Sequence, residues 1–291
     1  MKYVFGELEI EAIIMETVVN IAGYRFVDLP DRDALREPLL ELCLKLDLKG
    51  SILLSKNGIN FFLAGSQASV DAFLQYLELD ERFIGIDLKI SYTDYQPFRR
   101  MLVKRKREII SLGMEDIRPS EFTGPYVSPS DFKRMLDEEE DIVILDTRND
   151  YETRLGSFQG AIDLDIQSFR SFPEAIETLP DEYKSKTFVM YCTGGIRCEK
   201  ASAVMIKAGF EDVRQLDGGI LAYLEEHGES HWNGDCFVFA QRVAVDHNLR
   251  ETMVEMCFKC REPLSPEEQQ SINYVIGEYC PYCIAPSSNT A

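Results

Sequence analysis

The chain has 291 residues, 45% of them hydrophobic and 28% charged, the balance of a folded protein with two or three domains. Its formal charge of −19, from 31 Lys and Arg against 50 Asp and Glu, excludes a general affinity for nucleic acid and leaves only a local basic patch for such a role. No apolar run approaches the ~20 residues needed to cross a bilayer, and the opening MKYVFGELEIEAIIMET carries Glu7, Glu9 and Glu11 where a signal peptide has a basic leader; no membrane partner and a cytoplasmic location are the expectations.

After this acidic start, Val18 to Val27 reads as a strand with Tyr24 and Phe26 on one face. Asp31 is placed to cap a helix carrying Leu35, Leu39, Leu42, Cys43 and Leu46, with Pro38 expected to delay or kink it. Ser51 to Ser55 and Ile59 to Ala64 flank Asn57-Gly58, a hairpin signal. Val70, Phe73, Leu74 and Leu77 mark a second helix, and Ile86 to Tyr92 a further strand. The order βαββαβ predicts a ferredoxin-like α+β sandwich over residues 1–95, acidic extension included, with Cys43 in its core.

Residues 96–125 read as a basic strand and linker. Arg99, Arg100, Lys104, Arg105, Lys106 and Arg107 follow Tyr92, Tyr95 and Phe98. Aromatic groups beside cations suit RNA, where rings stack bases and charges hold phosphates. An edge strand blunted by Lys and Arg has the same composition, and the spacing alone does not separate the two. The stretch from Gly113 to Pro125 has the Pro and Gly of a connection.

Residues 126–232 alternate strand and helix, predicting a parallel α/β domain. Ser128-Pro129 starts a helix bearing Phe132, Met135 and Leu136. Ile142 to Leu145 is a buried-strand pattern ending in Asp146-Thr147-Arg148. A second strand, Thr187 to Tyr191, ends at Cys192, and Thr193, Gly194, Gly195 and Ile196 form a tight loop into a helix, with Arg197 five residues after the cysteine. Such a loop aims backbone N–H groups at the helix N-terminus, where an anion or a thiolate is favoured. Cys192 is therefore the candidate nucleophile, Thr193 to Ile196 the anion-binding loop, and Arg197 the group that closes it. Cys198, at the start of the same helix, is placed to resolve an oxidised or persulfidated Cys192, or to pack. Asp146, Arg148 and Asp217 suit structural roles at strand ends more than direct participation.

Residues 233–291 are cysteine-rich. Cys257-Phe-Lys-Cys260 and Cys280-Pro-Tyr-Cys283 match a four-thiolate zinc site of zinc-ribbon type, with a structural role for the metal; a redox dithiol is the competing reading. Cys236 receives no ligand role, and His227, His231 and His247 are too scattered to add one.

DTRNDYE at 146–152, YCTGGIRCEKA at 191–201 and LDGGI at 216–220 resemble rhodanese-domain motifs, with Cys192 at the position of the sulfur-accepting cysteine. Together with GSILLSKNGINFFLAGS at 50–66, VKRKREII at 103–110, WNGDCFVFAQRVAV at 232–245 and the terminal cysteine pairs, the chain resembles the TrhO family of oxygen-dependent tRNA uridine hydroxylases. The resemblance implies conversion of the wobble uridine of tRNA to 5-hydroxyuridine, molecular oxygen as co-substrate, and Cys192 and Cys198 as active-site thiols. No flavin, haem or nicotinamide motif is present in the sequence. The alternative activity is persulfide-based sulfur transfer; a phosphatase and a structural RNA adaptor are weaker readings of the same motifs.

Overall fold

The structure, a computed structural model, describes residues 17–239 and 242–284; the acidic extension, and Ala240 and Gln241 of the WNGDCFVFAQRVAV motif, lie outside them. The chain begins with β1 (Val18–Phe26), α1 (Arg32–Lys45), β2 (Lys49–Ser55), β3 (Gly58–Gly65), α2 (Gln67–Leu77), β4 (Leu88–Thr93) and β5 (Met101–Arg105). These strands form one sheet in the order β4-β1-β3-β2-β5, antiparallel except for the β2–β5 pair. This is the expected ferredoxin-like sandwich with the basic strand added at one edge. Val19, Ile21, Ile59, Phe61 and Leu63 alternate onto the helix-bearing face and pack with Leu39, Cys43, Val70 and Phe73. The strand period of two puts Ala22, Tyr24, Asn60 and Phe62 on the other, helix-free face.

Three local expectations are corrected. The hairpin closes at Ser55 opposite Gly58, so the turn residues are Lys56 and Asn57, one position before the Asn-Gly dipeptide; the Asn57 side chain meets Ser55 Oγ, and its N–H donates to the same oxygen. Helix α1 runs through Pro38 from Arg32. The proline is exposed, so the backbone carbonyl deprived of an N–H partner is left to water. Asp31 makes no side-chain cap, because its carboxylate is held by Arg82 at 2.6 and 2.9 Å.

The second sheet is built from β6 (Tyr126–Val127), β7 (Ile142–Asp146), β9 (Ile162–Asp163), β10 (Thr187–Tyr191) and β11 (Asp212–Leu216), in the order β6-β11-β10-β7-β9 and parallel throughout. Its helices are α3 (Pro129–Asp137), α4 (Asp150–Thr153), α5 (Phe172–Ile176), α6 (Ile196–Lys207) and α7 (Gly219–His227). Ser128 caps α3 through its Oγ, which accepts from Asp131 N–H at 3.0 Å, with Pro129 in the first turn, as the Ser-Pro signal predicts. Phe188, Met190, Ala201 and Met205 fill one side of the sheet together with Leu112 and Ile117. The connection between the sheets is thus anchored in the second core.

A short antiparallel pair joins β8 (Gly156–Phe158) to β12 (Trp232–Gly234). Phe158 lies edge-on to Phe132, Tyr191, Tyr223 and Trp232, with ring centroids 4.8–5.2 Å apart. Cys236, Val238 and Val245 belong to that same core, so the chain just past Trp232 packs on the parallel domain. The pair β13 (Cys236–Phe237) and β14 (Ala244–Val245) follows. The cysteine-rich end then forms β15 (Glu255–Met256), β16 (Pro263–Leu264) and α8 (Pro266–Gln269).

Candidate active site

Strand β10 delivers Cys192 to the carboxyl edge of the parallel sheet, where open α/β sheets collect their chemistry. The loop from Cys192 to Arg197 then turns into α6. Gly195 has φ +94°, and its N–H donates to Cys192 Sγ at 3.1 Å. The start of α7 holds the loop from behind: Ile220 N–H donates to the Cys192 carbonyl at 2.9 Å and Leu221 N–H to the Thr193 carbonyl at 3.1 Å. A Cβ at Gly219 would come within 2.4 Å of the Cys192 carbonyl oxygen, and Gly218 and Gly219 both adopt φ +64°, which explains the glycine pair in LDGGI. Thr193 Oγ1 donates to the Phe237 carbonyl at 3.4 Å. Gly194 and Ile196 are the half-exposed members of the loop.

Burial pushes the Cys192 thiol up, but the Cys198 thiol, the Arg197 guanidinium and the backbone N–H groups of Arg197 and Cys198 outweigh it and hold the group at about 5. Cys192 is a thiolate at neutral pH. Cys198 moves the other way: burial and the neighbouring thiolate keep it protonated, and Thr147 Oγ1 lies 3.6 Å from its sulfur. The two cysteines are therefore a donor and an acceptor in one buried site.

Arg197 does not reach into open space. Its guanidinium is bound by both oxygens of Glu152, at 2.5 and 2.7 Å, and both partners are buried. The cation thus supplies charge to Cys192 from a fixed position. Behind it, Arg148 is wholly buried and forks onto Asp146, with bonds from Nε at 2.9 Å and from Nη2 at 2.6 Å; Nη2 also meets the Gly156 carbonyl at 2.6 Å. Asp146 and Arg148 brace strand ends and take no place in the loop, and Asp217 is exposed. Such buried pairs cost several kcal/mol when one partner is removed.

The sequence patterns do not point to several residues that close the site. Glu152 belongs to the capping box of α4, and nothing in the sequence pairs it with Arg197, 45 residues away. Tyr24, from the first sheet, donates to Glu199 Oε1 at 3.2 Å, and Tyr126 lies near the same carboxylate. Burial pushes Glu199 up against the opposing effect of these hydroxyls. Phe239 sits between the sheets, 6.5 Å from Phe62 and 6.0 Å from the Arg197 guanidinium. The hydrophobic signal at these positions reads as core and conceals the contact between domains.

The basic segment does not form one face. Arg99, Arg100, Lys104, Arg105, Lys106 and Arg107 are all exposed. Register puts Lys104 beside Leu53, Asn60 and Tyr24 in one row of the helix-free face. Arg105 faces the helices and pairs with Asp33 of α1 at 3.2 Å. Beyond β5, Glu108 makes a buried pair with Lys200 of α6 at 2.6 Å, tying the segment to the helix that carries the loop.

Cys257, Cys260, Cys280 and Cys283 converge, with all four sulfurs within 4.8 Å of one another. Three of the separations are 3.9, 3.5 and 3.7 Å, against about 3.8 Å between sulfurs on a tetrahedral zinc with Zn–S bonds of about 2.3 Å. Arg261, directly after the first pair, adopts φ +71°, the left-handed turn that lets a knuckle fold back on its metal. The donor set and its spacing fit zinc. Arg154 of the parallel domain joins the module through Glu262 at 2.6 Å and the Tyr282 ring at 4.3 Å.

Comparison with known proteins agrees with this architecture. Residues 18–109 match the UPF0176 acylphosphatase like domain, and residues 128–226 match the Rhodanese-like domain. A tRNA uridine(34) hydroxylase of Cupriavidus necator is 48% identical over 94% of this chain and 99% of its own. One from Ralstonia nicotianae is 46% identical over 91% of this chain and 96% of its own. Among solved structures, a rhodanese-like domain from Anabaena sp. matches 38% of this chain and 79% of its own, at 26% identity and a TM-score of 0.33. With a sandwich in front, a thiolate loop in the middle and near full-length identity to these relatives, the chain belongs to the tRNA uridine(34) hydroxylase family.

Proposed function

We propose that this protein hydroxylates uridine 34 of tRNA to 5-hydroxyuridine, using Cys192 as the reactive group. The observation that carries the reading is 46–48% identity over more than nine tenths of the chain to relatives named tRNA uridine(34) hydroxylase. The local chemistry supports it, because a thiolate held by a helix N-terminus and a fixed guanidinium is a nucleophile at neutral pH. Uracil is electron-poor at C6, so a thiolate is suited to act on the ring. Molecular oxygen supplies the added oxygen atom, and its second atom leaves as water with two electrons and two protons from closure of the Cys192–Cys198 thiol pair to a disulfide, which a cellular thiol then reduces. Cys198, kept protonated beside Cys192, is the thiol available to it for proton or disulfide exchange, while Arg197 and the Gly195 N–H stabilise the sulfur anion.

In this reading residues 96–125, which begin with the edge strand of the first sheet, lead from the ferredoxin-like unit (1–95) to the catalytic unit (126–232), and residues 233–291, whose first part packs on the catalytic unit, end in the cysteine-rich module. Lys104, on the Tyr24 face, leads the RNA contacts, with Arg99, Arg100, Lys106 and Arg107 adding phosphate attraction. Cys257, Cys260, Cys280 and Cys283 hold a structural zinc. A tRNA substrate supports a cytoplasmic location; no helix among the described residues is long and apolar enough to cross a membrane.

Sulfur transfer through a Cys192 persulfide is the second reading, favoured by the Rhodanese-like domain match and the N–H-lined sulfur site. Incubation of tRNA lacking the modification with purified protein under heavy-isotope oxygen separates the two. Hydroxylation yields 5-hydroxyuridine at position 34 that carries the heavy atom. Thiolated nucleoside, or turnover of a Cys192 persulfide without hydroxylated product, establishes sulfur transfer instead.

A further inference from the structure

Cys192 is wholly buried, although its substrate is a macromolecule and its thiolate is the most nucleophilic group of the loop. Part of the cover comes from the other domain. Tyr24 lies on the helix-free face of the first sheet, and its hydroxyl would be 3.0 Å from a Cβ placed on Gly195, the residue whose N–H holds the Cys192 sulfur. The same hydroxyl donates to Glu199 in the first turn of α6. Tyr24 therefore touches both ends of the turn between the sulfur and its helix. Lys89, on the same face, approaches Gly218 at the start of α7, so two side chains of the sandwich meet the two glycine turns that shape the site. Neither pattern is needed for the sandwich to fold, because its core lies on the opposite face.

We propose that Tyr24 is a positioning residue for Cys192: the acylphosphatase-like domain supplies the hydroxyl that fixes the sulfur loop and closes it to water, so the active site is assembled from both domains. The bond to Glu199 holds the ring against Gly195, beside the loop that carries the sulfur. A rigid thiolate shielded between turnovers avoids alkylation and oxidation, which exposed thiolates of this acidity do not. The catalytic part of this inference rests on the hydroxylase reading; the sealing of the sulfur does not.

The test measures two quantities on the full-length protein: the rate at which iodoacetamide labels the Cys192 peptide, read by mass spectrometry, and hydroxylation of tRNA. In Tyr24→Phe the labelling rate rises about tenfold, the upper end of what one ordinary hydrogen bond contributes, and in Tyr24→Ala it rises further. Labelling of the buried Cys198 and Cys236 stays at the wild-type rate in both, which shows the parallel domain intact. Glu199→Gln retains an acceptor for the hydroxyl and keeps Cys192 protected. Hydroxylation falls in Tyr24→Phe through kcat, with KM for tRNA unchanged. Cys192 labelling at the wild-type rate in both Tyr24 variants overturns the proposal whatever the tRNA result. Wild-type protein that shows the protection but no hydroxylation counts against the hydroxylase reading and leaves the two-domain seal standing.

Discussion

Cys192 and Cys198 lie six positions apart and have opposite ionisation, and the difference is one of placement. The first receives N–H groups and the field of Arg197; the second has its own burial and the anion of its neighbour to contend with. A cysteine free in water ionises near 8.5, so Cys192 is depressed on folding. A depressed group binds fewer protons in the folded state between the two values, and its contribution to stability is complete above about pH 8.5 and lost as pH falls toward 5. Reactivity follows the folded value. The rate of Cys192 alkylation in the Tyr24→Ala background, where access does not limit, is predicted to be flat from neutral pH down to about 6 and to fall below it with a midpoint near 5. A midpoint near 8.5 would contradict the electrostatic account of the loop. At this scale the sequence was informative about the nucleophile, since glycines, Arg197 and a helix after a strand have one geometry. It was silent on Glu152, which meets Arg197 only after the chain has folded.

Elements were legible where hydrophobic period and turn chemistry agree, as in the sandwich strands and the Ser128 cap. They were misread where a side chain had a stronger distant partner. Asp31 has the right position for a cap, but Arg82 takes its carboxylate. Asn57-Gly58 is a hairpin signal, yet Gly58 pairs with Ser55 and the turn shifts back by one residue. The cysteine module is the opposite case: too few apolar groups to make a core, and four sulfurs at metal spacing. Its small core consists of Cys257, Leu264 and Cys280, flanked by Tyr274 and Cys283. Protein purified without added metal is predicted to carry about one zinc per chain, and chelation is predicted to raise protease sensitivity between Cys257 and Cys283 while the Trp232 fluorescence of the parallel domain is retained. Metal-free protein with the same protease resistance would show that the cysteines hold the module by themselves.

On the scale of the molecule, the described residues join the two domains through the Tyr24–Glu199 bond, the buried Glu108–Lys200 pair, the aromatic contact of Phe62 with Phe239 and the approach of Lys89 to Gly218. The chain that leaves the parallel domain returns to the sandwich as well, where Tyr95 donates to Glu251 at 2.7 and 2.8 Å. Contacts of this type have no periodic signature, because each side reads locally as a strand face or a helix turn. Motifs along the chain therefore revealed the domains and the cysteine loop, and only the folded structure revealed that the loop is closed by the first domain. The basic segment shows the same limit: six cations within nine residues are divided by strand alternation and by Asp33, and Lys104 is the one that register places in the row of Tyr24.

The central claim is that this thiolate acts on uridine 34. Its most direct test is nucleoside mass spectrometry of tRNA from aerobically grown cells that carry the wild-type gene, the Cys192→Ser gene or neither, in a background lacking any other route to the modification. The account predicts 5-hydroxyuridine, or nucleosides made from it, at position 34 with the wild-type gene and its loss in the other two. Undiminished modification with Cys192→Ser would contradict it.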